Sequence, residues 1–83
     1  MPEARTNEGY TITDFIPFGE EEFVLGEHTN SYGYKQYVTW RCKNKNDYYW
    51  GHYFLNRHDA LIDLCSRVNK EVDIALGLEG KEA

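Results

Sequence analysis

The segment Tyr37-Val-Thr-Trp-Arg-Cys-Lys-Asn-Lys-Asn-Asp-Tyr-Tyr-Trp-Gly-His-Tyr-Phe54 decides the fold. Two runs of aromatic and β-branched residues flank a polar Asn/Lys/Asp stretch, which is the pattern of an antiparallel hairpin. The hairpin carries seven of the chain's thirteen Tyr, Trp and Phe residues. That is more ring surface than the core of an 83-residue domain needs, so part of it is expected to face something else.

Register decides which part. If residues 44–47 form a four-residue loop, Lys43 pairs with Tyr48, Cys42 with Tyr49, Trp40 with Gly51 and Val38 with Tyr53. An indole lying over a glycine fills the space the missing side chain leaves. On this preferred reading Val38, Trp40, Cys42, Tyr49, Tyr53 and Leu55 share the face covered by a helix. Tyr37, Thr39, Arg41, Tyr48, Trp50, His52 and Phe54 share the uncovered face, with Arg41 within cation–π reach of Trp50. A turn one residue shorter swaps the faces of the second strand and puts Trp40 and Trp50 together.

Working outward, Tyr10–Phe18 reads as a strand that Pro17 ends or places at an edge. Gly19 allows a tight turn, and Glu22–Glu27 returns. His28–Lys35, with Tyr32 and Tyr34 among turn formers, is the longest loop. Residues 1–9 read as a disordered tail. Beyond the hairpin, Asn56 is a helix cap with Asp59 three residues on. Leu61, Leu64, Cys65, Val68, Val72, Ala75 and Leu76 then form one apolar stripe at helical spacing. Gly77 suits the residue after the helix, with Leu78 as its apolar contact and residues 79–83 frayed. The expected fold is α+β: an antiparallel β-meander of three to four strands with one C-terminal helix packed on one face, a single domain over residues 10–78.

Composition narrows the function classes. The formal net charge is −5, which disfavours sequence-independent binding to a phosphate backbone. No apolar run approaches the ~18 residues of a membrane span, and the first residues are polar and acidic, unlike a signal peptide. A cytoplasmic location is expected, with Cys42 and Cys65 as free, buried thiols.

The candidate binding residues are Tyr37, Arg41, Tyr48, Trp50, His52 and Phe54. Rings with a nearby Arg can stack single-stranded bases, and the same residue types dominate protein-binding hot spots. The structural alternative is that the tail or the Tyr-containing loop folds over this face and completes a second core. His28, His52, His58, Cys42 and Cys65 show no paired zinc spacing, so no metal or other cofactor is expected. Nucleophilic catalysis lacks a Cys–His or Ser–His arrangement, and Glu20, Glu21 and Glu22 read as a solvated cluster. The expectation is a non-catalytic protein whose partner is another protein or itself, as a homodimer. Nucleic-acid binding is the alternative. A further alternative is inhibition of a host defence enzyme by carboxylates that mimic phosphates, although Arg57, Arg67 and Lys70 interrupt the acidic line.

The strings Tyr37-Val-Thr-Trp40 and Tyr48-Tyr-Trp-Gly-His-Tyr-Phe54, followed by Arg57, Ala60, Asp63 and Leu64, carry a resemblance. Over about Tyr10 to Val72 the chain resembles a family of short uncharacterised proteins of gut-associated Gram-positive bacteria, often encoded on conjugative or other mobile elements. The resemblance implies a cytoplasmic accessory protein of such an element. It brings no catalytic or binding residues to carry over.

Overall fold

The computed structural model describes residues 4–77. Among the described residues, five antiparallel strands lie in sequence order: β1 (Thr6–Asn7), β2 (Tyr10–Phe18), β3 (Glu21–Thr29), β4 (Lys35–Lys43) and β5 (Asp47–Phe54). One helix among those residues, α1 (Arg57–Ala75), follows. The α+β meander with a C-terminal helix is thus present, with one strand more than the three to four expected. The extra strand corrects the tail expected over residues 1–9. Thr6 and Asn7 pair with Thr11 and Tyr10 across a turn at Glu8 and Gly9, both with positive φ. Residues 1–3, Leu78 and the frayed end expected at 79–83 lie outside the described residues.

The middle strand explains why both sheet faces are covered. Phe23, Val24 and Leu25 are consecutive and all buried, the signature of a strand packed on both sides. Phe23 and Leu25 join Tyr37, Ala60 and Leu64 in a core under α1. Val24 joins Val38, Trp40 and Cys42 in a second core on the opposite face.

That second core exists because the sheet curls on itself. Thr13 is an extra residue in β2, between the Ile12–Gly26 and Asp14–Leu25 pairs. A bulge of this kind bends a strand and changes which face it addresses. Tyr10 and Ile12 therefore pack on the second core, while Ile16 and Phe18 pack under α1. The curl brings the Tyr10 ring to 5.7 Å from Trp40 and 6.3 Å from Tyr53 on β5, three strands away in sheet order. Gly26 makes this approach feasible, since a Cβ there would stand 3.0 Å from Tyr10 Cβ.

The helix is delimited as its sequence implies. Asn56 caps it, its side chain accepting from the Asp59 amide at 2.8 Å, and Gly77 follows its end with φ +74°. The inward stripe is different from the one expected. Ala60 and Leu64 are buried, and Leu61 and Val68 pack against them. Cys65 is exposed, as are Ala75 and Leu76. The physical reason is that Thr39 and His52 on the sheet engage Asp63, Arg41 engages Glu71, and Arg67 donates to the Trp50 carbonyl, so the helix turns a mixed polar stripe inward beside its apolar one.

Candidate functional site

The hairpin register is the central correction. Asn44 and Lys45 both take positive φ, and the Asn46 amide donates to the Lys43 carbonyl at 3.3 Å. Two left-handed residues in succession make a type I′ turn, whose twist matches that of the flanking strands. The loop is therefore residues 44–46, one shorter than preferred, and Cys42 pairs with Tyr48 and Arg41 with Tyr49. Beyond Tyr49 a bulge inserts one residue, and Thr39 pairs with His52, Val38 with Tyr53 and Tyr37 with Phe54. Each alternative register thus holds in one half of the hairpin.

The bulged residue is Trp50, with φ +57°. Gly51 then lies beneath Trp40, where a Cβ would stand 2.8 Å from Trp40 Nε1. The indole-over-glycine packing is as expected, but it lies on the face away from the helix.

The candidate binding residues separate accordingly. Tyr37, Arg41, Trp50, His52 and Phe54 do share a face, which is the one under α1 rather than a bare one. Tyr37 is buried and Phe54 packs against the same core. Tyr48 is moved to the opposite face by the shorter turn, where its ring lies 5.4 Å from Trp40. The loop does not cover either face: the strands extend to leave residues 30–34, and Tyr32 and Tyr34 are exposed.

Arg41, Trp50 and His52 stay accessible because α1 covers the face only in part. With Phe23, Arg67 and Glu71 they line a cleft of about 290 Å³ between β5 and the second half of α1. Trp50 is 68 % exposed, with the Arg41 guanidinium 5.9 Å from its ring centroid and Tyr49 edge-on at 5.0 Å. Arg41 is held by Glu21 and, at 3.1 Å, by Glu71. Glu21 also accepts from the Tyr49 hydroxyl at 3.0 Å. Arg41's hydrogen bond, opposed by partial burial, holds the Glu21 carboxyl below its usual range, with Tyr49 assisting.

Asp63 organises the other wall. It accepts from the Thr39 hydroxyl at 2.6 Å and stands 2.9 Å from His52 Nδ1. Arg67 Nε lies 3.6 Å away from it, and Arg67 Nη2 donates to the Trp50 carbonyl. Arg67 Nη1 is buried without a partner among the described residues. Burial pulls the Arg67 guanidinium below its usual range, opposed by Asp63 and reinforced by Arg41. Arg67 was legible in the sequence only as a cation that interrupts the acidic line. Its role in fixing the bulge was not, because nothing local to residue 67 signals a partner on β5.

The remaining chemistry-bearing groups lie apart from the cleft. Cys42 is buried in the second core, and that burial pushes its thiol up, with Glu22 adding to the shift. Among the described residues no three His, Cys, Asp or Glu side chains are grouped to hold a metal ion. No helix is long and apolar enough to cross a membrane among those residues. The chain matches no family model, no curated protein and no solved structure.

Proposed function

We propose that this protein is a non-catalytic binding module that engages another protein, or a second copy of itself, through Trp50 and the cleft beside it. One observation carries the reading: a large aromatic residue is held in left-handed backbone and yet left two-thirds exposed. For a bulky residue that conformation is unfavourable, and exposed placement recovers little burial energy in return. Strain of this kind persists where surrounding structure imposes it, and it concentrates at binding sites. Here the register change between the Arg41–Tyr49 and Thr39–His52 pairs, with Arg67 bonded to the Trp50 carbonyl, holds it.

The neighbourhood fits a protein partner. Trp, Tyr and Arg are the residues that dominate interface energetics. β5 is a terminal strand of the sheet, and Tyr53 and Leu55 stand exposed on and beside it with Trp50. The bulge limits indiscriminate pairing along that edge, as edge bulges do. A nucleic-acid reading draws on the same indole with Arg41 and Arg67 beside it, but Glu21, Glu71 and Asp63 offset those cations. The resemblance to proteins of mobile elements adds a setting, a cytoplasmic accessory protein of such an element, without naming the partner.

The test compares the wild-type chain with Trp50→Gly, a change that the backbone tolerates. Self-association is measured by sedimentation velocity over a range of concentrations, and peptide binding by selection from a random-peptide display library. Loss of self-association or of selected peptides in a folded Trp50→Gly protein supports the reading. Unchanged binding in that variant refutes it, and affinity for an oligonucleotide that falls steeply with salt would favour the nucleic-acid reading instead.

A further inference from the structure

The ring surface that the Trp50 cleft does not use lies at the opposite end of the sheet. The loop between β3 and β4, Asn30-Ser-Tyr-Gly-Tyr34, carries no charge in a chain that is 28 % charged. Tyr32 is 84 % exposed and Tyr34 71 %. The loop is nonetheless well held. Asn30 Oδ1 accepts from the Tyr32 amide at 2.9 Å and from the Tyr34 amide at 3.0 Å. The Asn30 amide donates to the Tyr34 carbonyl at 2.8 Å, and the amide of Gly33, at φ +88°, donates to the Asn30 carbonyl at 3.0 Å. Two rings are thus presented in the open on an ordered backbone. Asn, Ser, Gly and Tyr are also the residues of antibody binding loops, where Tyr supplies rigid contact area at low entropic cost.

The Trp50 cleft has the matching chemistry. Its volume of about 290 Å³ admits a phenol side chain. Arg41 already faces rings there, 5.4 Å from the Phe23 centroid and 5.9 Å from that of Trp50. Glu21, Glu71 and Asp63 balance Arg41 and Arg67. A cleft of balanced charge with an exposed indole favours a neutral ring, whose face attracts a guanidinium, over a phosphate or a carboxylate. Loop and cleft cannot meet within one chain. Strand β4 runs from Lys35 beside the loop to Arg41 in the cleft, a separation of about 20 Å at roughly 3.3 Å per residue.

We propose that the tip of the β3–β4 hairpin of one copy docks in the Trp50 cleft of another, so that the chain assembles head to tail. This rests on the reading of the Trp50 cleft as a protein-binding site. A knob and a pocket at different places on one molecule make a heterologous contact, which closes into a ring or runs on as a filament. Tyr32, Tyr34 and Trp50 bury on the order of 150 Å² each in such a contact, well short of the ~1,200 Å² of a stable complex. The assembly is therefore weak and concentration-dependent.

Complementation between two variants tests it. Sedimentation velocity at up to about 1 mM, where millimolar affinities register, follows the wild type, Tyr32→Ser/Tyr34→Ser, Trp50→Gly and an equimolar mixture of the two variants. Circular dichroism checks that each is folded. The wild type is expected to form species larger than a dimer. Each variant alone should associate at least about thirtyfold more weakly, the loss typical of a hot spot. The mixture should form a one-to-one dimer and stop there, because it holds one intact knob and one intact cleft. A wild type that stays monomeric, or a mixture no more associated than its parts, overturns the proposal. Wild-type association of the Tyr variant also overturns it, and if Trp50→Gly is then impaired, the cleft keeps its role with a different surface. Wild-type association of Trp50→Gly refutes the self-association role of the cleft as well. If Trp50→Gly does not fold, the wild type alone decides. Its Trp50 emission should shift to the blue with rising concentration as a ring covers the indole, and unchanged emission overturns the proposal.

Discussion

Replacing Trp50 by Gly and by Ala isolates the strain at the bulge. Both substitutions remove the same indole contacts, with Tyr49 and with Arg41. They differ in what the backbone at φ +57° costs. Ala in the left-handed region carries a penalty of about 1–2 kcal/mol, and Gly carries essentially none. Gly loses more chain entropy on folding, by about 0.5–1 kcal/mol. The balance leaves Trp50→Gly more stable than Trp50→Ala by about 0.5–1 kcal/mol. In an ordinary strand the order is reversed, because only the entropy difference operates. For a domain of this size the gap corresponds to a Tm difference of about 2–8 °C. Matched urea and thermal denaturation of the two variants measures it. If Trp50→Ala proves equal to or more stable than Trp50→Gly, the hairpin has no left-handed bulge at this position, and the argument for a strained, displayed indole collapses.

Gly51→Ala should lower stability by about 1–3 kcal/mol, because its Cβ would stand 2.8 Å from Trp40 Nε1 and 3.1 Å from Tyr53 Oη; the urea midpoint reports it. Acid should destabilise the fold through Glu21 and Asp14. The Glu21 carboxyl is lowered chiefly by Arg41, and at Asp14 hydrogen bonds from Thr13 and Arg57 outweigh an opposing burial effect. Because both folded pKa values lie below the unfolded values near pH 4, their stabilisation is complete above about pH 5. It is lost as pH falls through the folded values, and Glu21→Gln should flatten denaturation midpoints measured from pH 6 to pH 3. Cys65 should react with a thiol reagent in the native state at a rate close to that of a free peptide thiol, whereas Cys42 should react only on unfolding. A slow Cys65 would contradict the inward face assigned to α1, and a fast Cys42 the burial in the second core.

Much of the architecture can be read from local signals. Tyr10–Phe18 is a strand over the residues its composition implies, Asn56 caps the helix, and Gly77 follows its end. Alternation, capping and glycine placement act over a few residues, so they survive without knowledge of the rest of the chain. The short apolar run Phe23-Val-Leu25 even marks the strand covered on both faces. The grouping of Arg41, Trp50 and His52 on one face was read from the sequence as well, although Arg41 pairs with Tyr49 and Trp50 is the bulged residue.

What local signals could not give was the identity of the covered face. The loop is one residue shorter and the bulge restores one residue, which moves Tyr48 across the sheet but leaves Tyr37, Arg41, His52 and Phe54 on one face, and neither register is excluded by propensity. The choice is made cooperatively. The type I′ turn at Asn44 and Lys45 sets one register, and Arg67 on the distant helix fastens the Trp50 carbonyl so that the other resumes. Burial at Cys65 was misread for a similar reason, because an apolar stripe fixes a helix face only if the opposing sheet is apolar, and here Thr39, Arg41 and His52 draw polar partners inward. The sequence by itself determined the elements, their order and their caps. Only the tertiary structure decided which aromatic side chains became core and which single indole was left in the open, because that depends on contacts between residues far apart in the chain.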